Sequence, residues 1–475
     1  MQFQPSRFAQ RILPSGLYDR LAPNLARLDS AVSGKSDSDI SRRVALFAFA
    51  IRVLSAAIAY LSQVLLARWM GDFEYGIFVA VWVAIIILGA LACLGFQTGI
   101  IRFISEYRSS GEDHYLRGAI TGSLTWALAF STLLAGFGAV TVWLLGSLIT
   151  NYYVLPIVLA LACLPMIALQ EVLDGIARAH NWPGLALGPT FIIRPLAIIA
   201  AMGIAVLLGF EADATTAMTS AIVATWLVTL VQFGFLRGRL KSEVPPGPRA
   251  YRPMHWLAIT APIFLIEGFY NLLTNVDILM VSHYLTPEDV AVYFAAAKTM
   301  ALAHFVYFAV KAAAAHRFSA YLSAGDQERY VAFIQETVRW TFWPTLVMAA
   351  VMAVLGRYFL LMFGSSFEAG ESVIWILALG VVARASVGPA ESVLTMSGEQ
   401  NACAVVYASS LVINLLLNMT LIPVYGLNGA AIATATAMLF EAGILYATAK
   451  RRLGLHVFII ESRSHGPVES GGPAE

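Results

Sequence analysis

The sequence predicts an all-α polytopic membrane protein of about twelve transmembrane helices, arranged as two pseudo-symmetric six-helix bundles around a central cavity. Three observations carry this expectation: the composition, the rhythm of apolar windows, and a self-resemblance between the two halves of the chain. Apolar residues make up 59% of the chain and charged residues 12%, and the mean hydropathy is +0.73. A soluble domain would carry roughly a quarter charged residues, so this chain is built for an apolar solvent. Its 475 residues have room for about a dozen spans of roughly 20 residues with short connections. The net charge of +1 excludes little by itself, because in a membrane the position of basic residues matters more than their sum. No nucleic-acid partner is expected.

Apolar windows bounded by charges or by Gly and Pro define the spans. The first six run approximately Val44–Arg68, Ile77–Ile101, Gly118–Leu145, Tyr152–Val172, Leu185–Gly209 and Ala214–Leu236. The second six run approximately Met254–Tyr284, Val290–Ala315, Thr341–Phe363, Ser372–Met396, Ala402–Ile422 and Asn428–Lys450. Basic residues gather in alternate connections: Arg102, Arg108 and Arg117 after the second span, Arg237 to Arg252 after the sixth, and Arg317, Arg329 and Arg339 after the eighth. Lys450, Arg451 and Arg452 follow the twelfth. The opposite connections are acidic, with only Arg68 and Arg357 standing out. By the positive-inside rule both termini of this multi-pass protein lie in the cytoplasm.

The halves repeat. A shift of about 215 positions carries Arg102-Phe103 onto Arg317-Phe318, Phe78 onto Tyr293, and the Gly71–Glu74 turn onto Thr286–Asp289. Six spans per half bring both copies in from the same side, so the repeat axis should lie along the membrane normal and any substrate site near the midplane. The expected organisation is a tail over 1–41, a first lobe over 42–236, a linker over 237–253, a second lobe over 254–450 and a tail over 451–475. The first tail is polar and broken by Pro5, Pro14 and Pro23, unlike a signal peptide. Within it Leu17, Leu21, Leu25, Leu28 and Val32 recur at helical spacing, though Pro23 favours a solvated tail over a surface helix. His465–Glu475 reads as disordered. Cys93, Cys163 and Cys403 each fall in an apolar stretch and read as small buried hydrophobes, with no metal-ligand spacing among them.

Polar groups at membrane depth are costly and usually face a cavity or a partner. On the seventh span, Glu267, Tyr270, Asn271, Thr274, Asn275 and Asp277 fall on one side of a helix, across an arc of roughly 160°. So broad an arc exceeds what one satisfied pair needs and points to a water-filled cavity; helix–helix hydrogen bonding within the second bundle is the plainer alternative. The repeat sets Arg52 opposite Glu267, which makes the two an expected pair across the axis, although Arg52 is also near enough to its helix start to snorkel. Arg194, Lys298, Lys311 and Arg384 are further intramembrane cations. Lys298 is equally readable as a fixed partner of Asp277, and Arg384 shares a face with Glu391 unless Gly388-Pro389 breaks the helix between them. Gathered in one lumen, such cations would compensate a pyrophosphate. Glu171 and Asp174 read as a solvated helix end, and Gly95 with Gly99 as a packing contact.

The run Asn414 to Asn418, then Ile422-Pro423-Val424-Tyr425-Gly426 and Gly429 to Thr434, resembles the signature of polysaccharide-biosynthesis flippases. That family sits within the multidrug/oligosaccharidyl-lipid/polysaccharide exporter superfamily. Arg68 through Phe78, with Leu94-Gly95 and Ile101-Arg102-Phe103, resembles the family's first hairpin, and Asp277 with Tyr293 and Lys298 its second. The resemblance covers Ser41 to Arg452. It implies alternating access to a cationic cavity and a cargo of undecaprenyl-pyrophosphate-linked oligosaccharide, destined for polysaccharide or lipopolysaccharide. It implies no enzymatic activity and no catalytic residue. The candidate cavity residues are then Arg52, Arg194, Glu267, Asn271, Asn275, Lys298 and Arg384, with Glu267 and Asp277 as candidate carriers of a coupling proton or sodium ion. No cofactor or metal is expected. Membrane lipids and polysaccharide polymerase machinery join the cargo as candidate partners. The first rival is a multidrug or metabolite cation antiporter of the same superfamily, whose cavity would be richer in carboxylates. A second is an integral-membrane sugar-lipid enzyme, disfavoured by the short connections. No Walker-type glycine loop is present, so direct use of ATP is not expected.

Overall fold

The computed structural model describes residues 37–304 and 327–460, together with 307, 310, 314, 318 and 321, with side chains from Leu54 onward. Among the described residues every regular element is helical: α1 Asp37–Ala92, α2 Phe96–Ser110, α3 Asp113–Leu145, α4 Asn151–Leu161, α5 Leu164–Ala179, α6 Pro183–Gly188, α7 Arg194–Leu207, α8 Ala214–Glu243, α9 Pro253–Tyr284, α10 Pro287–Ala301, α11 Gln327–Phe363, α12 Glu371–Ala385, α13 Ala390–Met396 and α14 Gln400–Leu453.

Eight helical stretches among the described residues are long and apolar enough to cross a membrane, or nine if the bent pair Asn151–Leu161 and Leu164–Ala179 counts as one span. Two of the eight are far too long for single crossings, because 54 residues of straight helix would extend about 80 Å. Both turn back on themselves. Gly71 (φ 77°) interrupts α1, and beyond it Tyr75 reaches back to donate to Gln63 Oε1 at 2.9 Å, a pair that a straight helix would hold about 18 Å apart. Gly426 (φ 57°) does the same in α14: a Cβ on Gly429 would run into the Leu421 carbonyl oxygen. Left-handed backbone at these two positions is open to glycine at little cost. With both hairpins counted, the predicted spans are accounted for except the eighth, which is described over Pro287–Ala301 and only in part beyond.

The hairpin turns carry the internal repeat. The same shift of about 215 positions moves Gly71 onto Thr286, the N-cap of α10, and Glu211 onto the Gly426 turn. Several spans are interrupted, the second and fifth where the sequence reading had them continuous and the tenth at the Gly388-Pro389 break it had left open. The second stops at Ala92, turns through Leu94 (φ 51°) and Gly95 (φ 78°), and resumes as α2. The fifth passes through a π-helical turn over Pro189–Ile193, at whose end Arg194 opens α7. The tenth breaks at Gly388-Pro389. The ninth begins earlier than predicted, because Tyr330, Phe333, Ile334 and Thr337 bury one face of a polar-looking stretch.

Among the described residues the halves meet at both ends of the bundle. At the end where Gly71 turns, α1 packs on α10 so closely that a Cβ on Gly76 would strike the Pro287 carbonyl. There Arg68 donates to the carbonyls of Leu361 (2.6 Å) and Met362 (2.7 Å), capping the exposed C-terminal carbonyls of α11. At the opposite end Trp256 is fully buried among first-half residues and donates to Tyr107 Oη at 2.9 Å. The connection before it is pinned as well: Arg117 donates to the carbonyls of Pro245 and Pro248, both at 2.9 Å, and Ala250 N–H to His114 O. The surface-helix reading of residues 17–32 and the disorder expected of His465–Glu475 both lie outside the described residues. The chain just past α14 is packed, with Leu455 and Val457 buried in the second half.

Candidate functional site

Helix α9 is the axis of the site. Its first half belongs to the first bundle by contact: Thr260 fills the space above Gly95 and Gly99 of α2, where a Cβ on Gly95 would lie 2.5 Å from the Thr260 carbonyl oxygen. The predicted small-residue packing of Gly95 and Gly99 is therefore a contact with α9. The second half of α9 packs on α14 and α10. One helix thus presents its polar arc where the two halves meet.

The structure divides that arc into three. At one end along the helix axis Glu267, half-buried, accepts from Gln97 Nε2 at 2.5 Å and Thr98 Oγ1 at 2.6 Å, both on α2. At the other end Asp277 is buried within the second half, accepting from Tyr293 Oη at 2.8 Å and Thr434 Oγ1 at 3.3 Å. Helix–helix bonding inside the second bundle, the plainer alternative, holds for this residue. Between them lie Tyr270, 39% exposed, Asn271, Thr274 and Asn275. Asn275 bonds only along its own helix, donating to Asn271 O at 3.0 Å and Oδ1 at 3.2 Å, and Tyr270 stacks edge-on against Tyr407 of α14 with ring centroids 5.4 Å apart. This stretch between the two carboxylates is uncharged, with Tyr270 and Thr274 exposed and Asn271 and Asn275 half-buried.

Two charged clusters flank it. In the first half, Arg194 donates to Gln170 Oε1 at 3.0 Å and lies over the Trp82 ring at 5.8 Å. Arg178 donates to the Gln97 carbonyl at 3.1 Å. Both arginines lie within electrostatic reach of Glu171, and Arg178 also within reach of Glu267. Asp174, read from sequence as part of a solvated helix end, is instead 6% exposed. It accepts from Thr190 Oγ1 of the π turn at 2.5 Å and Gln232 Nε2 of α8 at 2.6 Å. Its partners come from distant elements that fold over it, and a buried carboxylate needs such donors.

In the second half Arg384 is clamped. It bonds Glu391 at 2.6 Å and Glu441 at 2.7 Å, and donates to the Gly388 carbonyl at 3.1 Å. The helix break and the Arg384–Glu391 contact coexist, because the turn at Gly388 swings α13 back toward α12. Lys298 lies 4.9 Å from the Phe294 ring centroid and within electrostatic reach of Asp277.

Of the predicted cavity residues, the structure therefore aligns Glu267, Asn271 and Asn275 along one helix face and holds Arg194, Lys298 and Arg384 in separate flanks. The Arg52 side chain lies outside the described residues, so its pairing with Glu267 does too, as does Lys311. Participants not anticipated include Gln97 and Thr98 as holders of Glu267, Thr190 and Gln232 as holders of Asp174, and Glu441. A lone carboxylate inside the apolar window 428–450 was the signal for the last. Among the described residues the arc and its flanks hold Arg178, Arg194, Lys298 and Arg384 against Glu171, Asp174, Glu267, Asp277, Glu391 and Glu441.

The family model described as polysaccharide biosynthesis protein matches residues 42–322, more than half of the chain. The chain belongs to the polysaccharide biosynthesis protein family. A second model, MatE, matches residues 262–420, the stretch that contains the α9 arc. Among solved structures this family member is similar to the lipid II flippase MurJ in an inward closed conformation, with TM-score 0.67, 15% identity, and 85% of this chain and 87% of that one covered. It is similar also to an inward-facing multidrug resistance MATE family transporter of the MOP superfamily, with TM-score 0.66, 15% identity, and 86% and 94% covered. A MOP superfamily transporter from Pyrococcus furiosus aligns with TM-score 0.63 at 16% identity, over 86% of this chain and 95% of that one. At such identities the likeness is one of fold. No curated protein matches the chain.

Proposed function

We propose that the protein is an alternating-access flippase that moves a lipid-linked oligosaccharide, carried on undecaprenyl pyrophosphate, across the bacterial inner membrane for polysaccharide assembly, with both termini in the cytoplasm. The observation that carries this reading is the uncharged polar stretch of α9 between Glu267 and Asp277, with Tyr270 and Thr274 exposed. Tyr270, Asn271, Thr274 and Asn275 offer hydroxyl, amide and aromatic groups on one face, the chemistry that meets sugar hydroxyls. The half-buried cations Arg194 and Lys298 on either flank suit the diphosphate, whose charge must be compensated at membrane depth. The family match over 42–322 supports the polysaccharide assignment. Glu267 is the candidate coupling group for a proton or sodium ion, since it borders the exposed polar stretch and, among the described residues, its hydrogen-bond donors Gln97 and Thr98 are neutral.

The carboxylates Glu267, Glu391 and Glu441 favour one second reading, a cation antiporter, in which they would receive a cationic solute. Proteoliposomes holding the purified protein decide between the two. A fluorescent lipid-linked oligosaccharide should become accessible to an external lectin at a rate that falls about tenfold or more in Asn271→Leu/Asn275→Leu. Gradient-driven uptake of ethidium, with no oligosaccharide movement, would establish the antiporter instead.

A further inference from the structure

A cavity of about 920 Å³ opens between α3, α5, α8 and the segment 244–252, remote from the α9 arc. Its walls change character along their length. Leu124 and Leu128 of α3, Met166 and Leu169 of α5, and Leu230 and Phe233 of α8 make an apolar floor. Arg117, Arg237, Lys241 and Arg249 gather at one end, and no carboxylate lines the cavity among the described residues. The polarity follows from chain direction: Arg117 stands near the start of α3, and Arg237 and Lys241 near the finish of the antiparallel α8. From Arg117 to Leu128 the helix rises about 16 Å, close to one leaflet of a hydrocarbon core about 30 Å thick. Leu128 and Leu230 are exposed and continue into the exposed apolar surface of Phe130, Leu133, Leu227 and Val231. The mouth therefore opens onto the belt that faces lipid.

Helix α5 separates this cavity from the polar cluster. Met166 and Leu169 face the floor, whereas Gln170 and Asp174 bond Arg194, Thr190 and Gln232. A cargo bound at α9 has no route through that helix. We infer that the cavity is a binding site for a resident anionic phospholipid. Its phosphate sits among Arg237, Lys241 and Arg249, and an acyl chain lies along the floor. A free phosphate would leave the floor uncovered, and a zwitterionic lipid would leave the cations uncompensated. Arg117, already engaged by the Pro245 and Pro248 carbonyls, ties the site to the segment that leads into α9. Lipid occupancy thereby braces the connection between the halves.

The inference does not depend on the transport reading, and its test measures no transport. Native mass spectrometry of the purified full chain, titrated with phosphatidylglycerol and phosphatidylcholine of identical chains, should show about tenfold preferential retention of phosphatidylglycerol. Arg237→Gln/Lys241→Gln should abolish the preference. Arg102→Gln/Arg451→Gln, which removes equal charge elsewhere on the basic end, should keep it. Leu124→Trp/Leu230→Trp should lower retention by filling the floor; if that variant fails to fold, the surface Arg/Lys variant carries the test alone. Equal retention of both lipids, or an unchanged preference in Arg237→Gln/Lys241→Gln, would overturn the proposal. So would displacement of the lipid by inorganic phosphate, or by undecaprenyl phosphate at lower concentration than phosphatidylglycerol, which would assign the cavity to a free anion or to the carrier lipid.

Discussion

Arg384 illustrates how a buried cation is reassigned by its neighbours. A guanidinium at 11% side-chain exposure, clamped by two carboxylates, has little left to offer an anionic cargo, and its removal would leave Glu391 and Glu441 facing each other. Arg384→Ala should therefore destabilise the fold by about 3–5 kcal/mol, read as a lowered melting temperature in detergent. Arg384→Met/Glu391→Gln/Glu441→Gln should recover most of that loss. A stable Arg384→Ala protein that no longer transports would return the cation to the cargo. Glu267 behaves oppositely. Glutamine there still offers an oxygen to Thr98, so Glu267→Gln should fold normally while gradient-driven transport falls by about tenfold or more; transport at the wild-type rate would remove the coupling role. Much of this site was legible in the sequence, because a polar residue in an apolar window announces itself wherever it falls: Glu267, Asn271, Asn275, Asp277 and Arg384 were all visible that way. Their partners were not. Nothing local says that Gln97 and Thr98 hold Glu267, since the contact is made by two helices some 170 positions apart, or that Thr190 and Gln232 bury Asp174.

At the scale of elements, hydropathy located the spans because burial in lipid imposes length and composition together. It missed the breaks, because a turn inside an apolar run leaves the hydropathy unchanged. Gly388-Pro389 was readable through the proline; the π turn over Pro189–Ile193 and the Leu94-Gly95 turn were not, since their geometry is settled by what they pack against. The α2–α9 seam is the clearest case. Two glycines four apart admit Thr260, and a Cβ on Gly99 would overlap its methyl group. Gly99→Leu should cost about 1–3 kcal/mol through overpacking. Gly99→Ala should cost less and should be relieved by Thr260→Ala in a double-mutant cycle, with a coupling energy of about 1 kcal/mol measured by denaturation in detergent. Additive effects of the two substitutions would mean that the helices do not bear on each other there.

For the whole molecule, the repeat and the seams bear on how the halves move. Alternating access requires one seam to part while the other holds. At the Gly71 end the first half reaches across by three kinds of contact: Arg68 on the α11 carbonyls, Tyr60 Oη within 3.1 Å of Thr299 Oγ1 and donating to the Phe359 carbonyl at 3.2 Å, and Gly76 against Pro287. The polar contacts are few and removable, and each net hydrogen bond is worth about 1 kcal/mol, more where charge assists. A two-state molecule with a gap of a few kcal/mol would change its populations visibly when they are lost. Arg68→Ala/Tyr60→Phe should therefore shift the ensemble toward opening at this end. Spin labels at Glu211→Cys in the first half and Ser366→Cys in the second would report it, since both positions are exposed and the three native cysteines are buried. The expected result is a longer-distance population that grows several-fold in the variant, with no change between labels confined to one half. An unaltered distribution would mean that the seam is held by the apolar packing of Tyr75, Phe363 and Phe367 rather than by Arg68 and Tyr60.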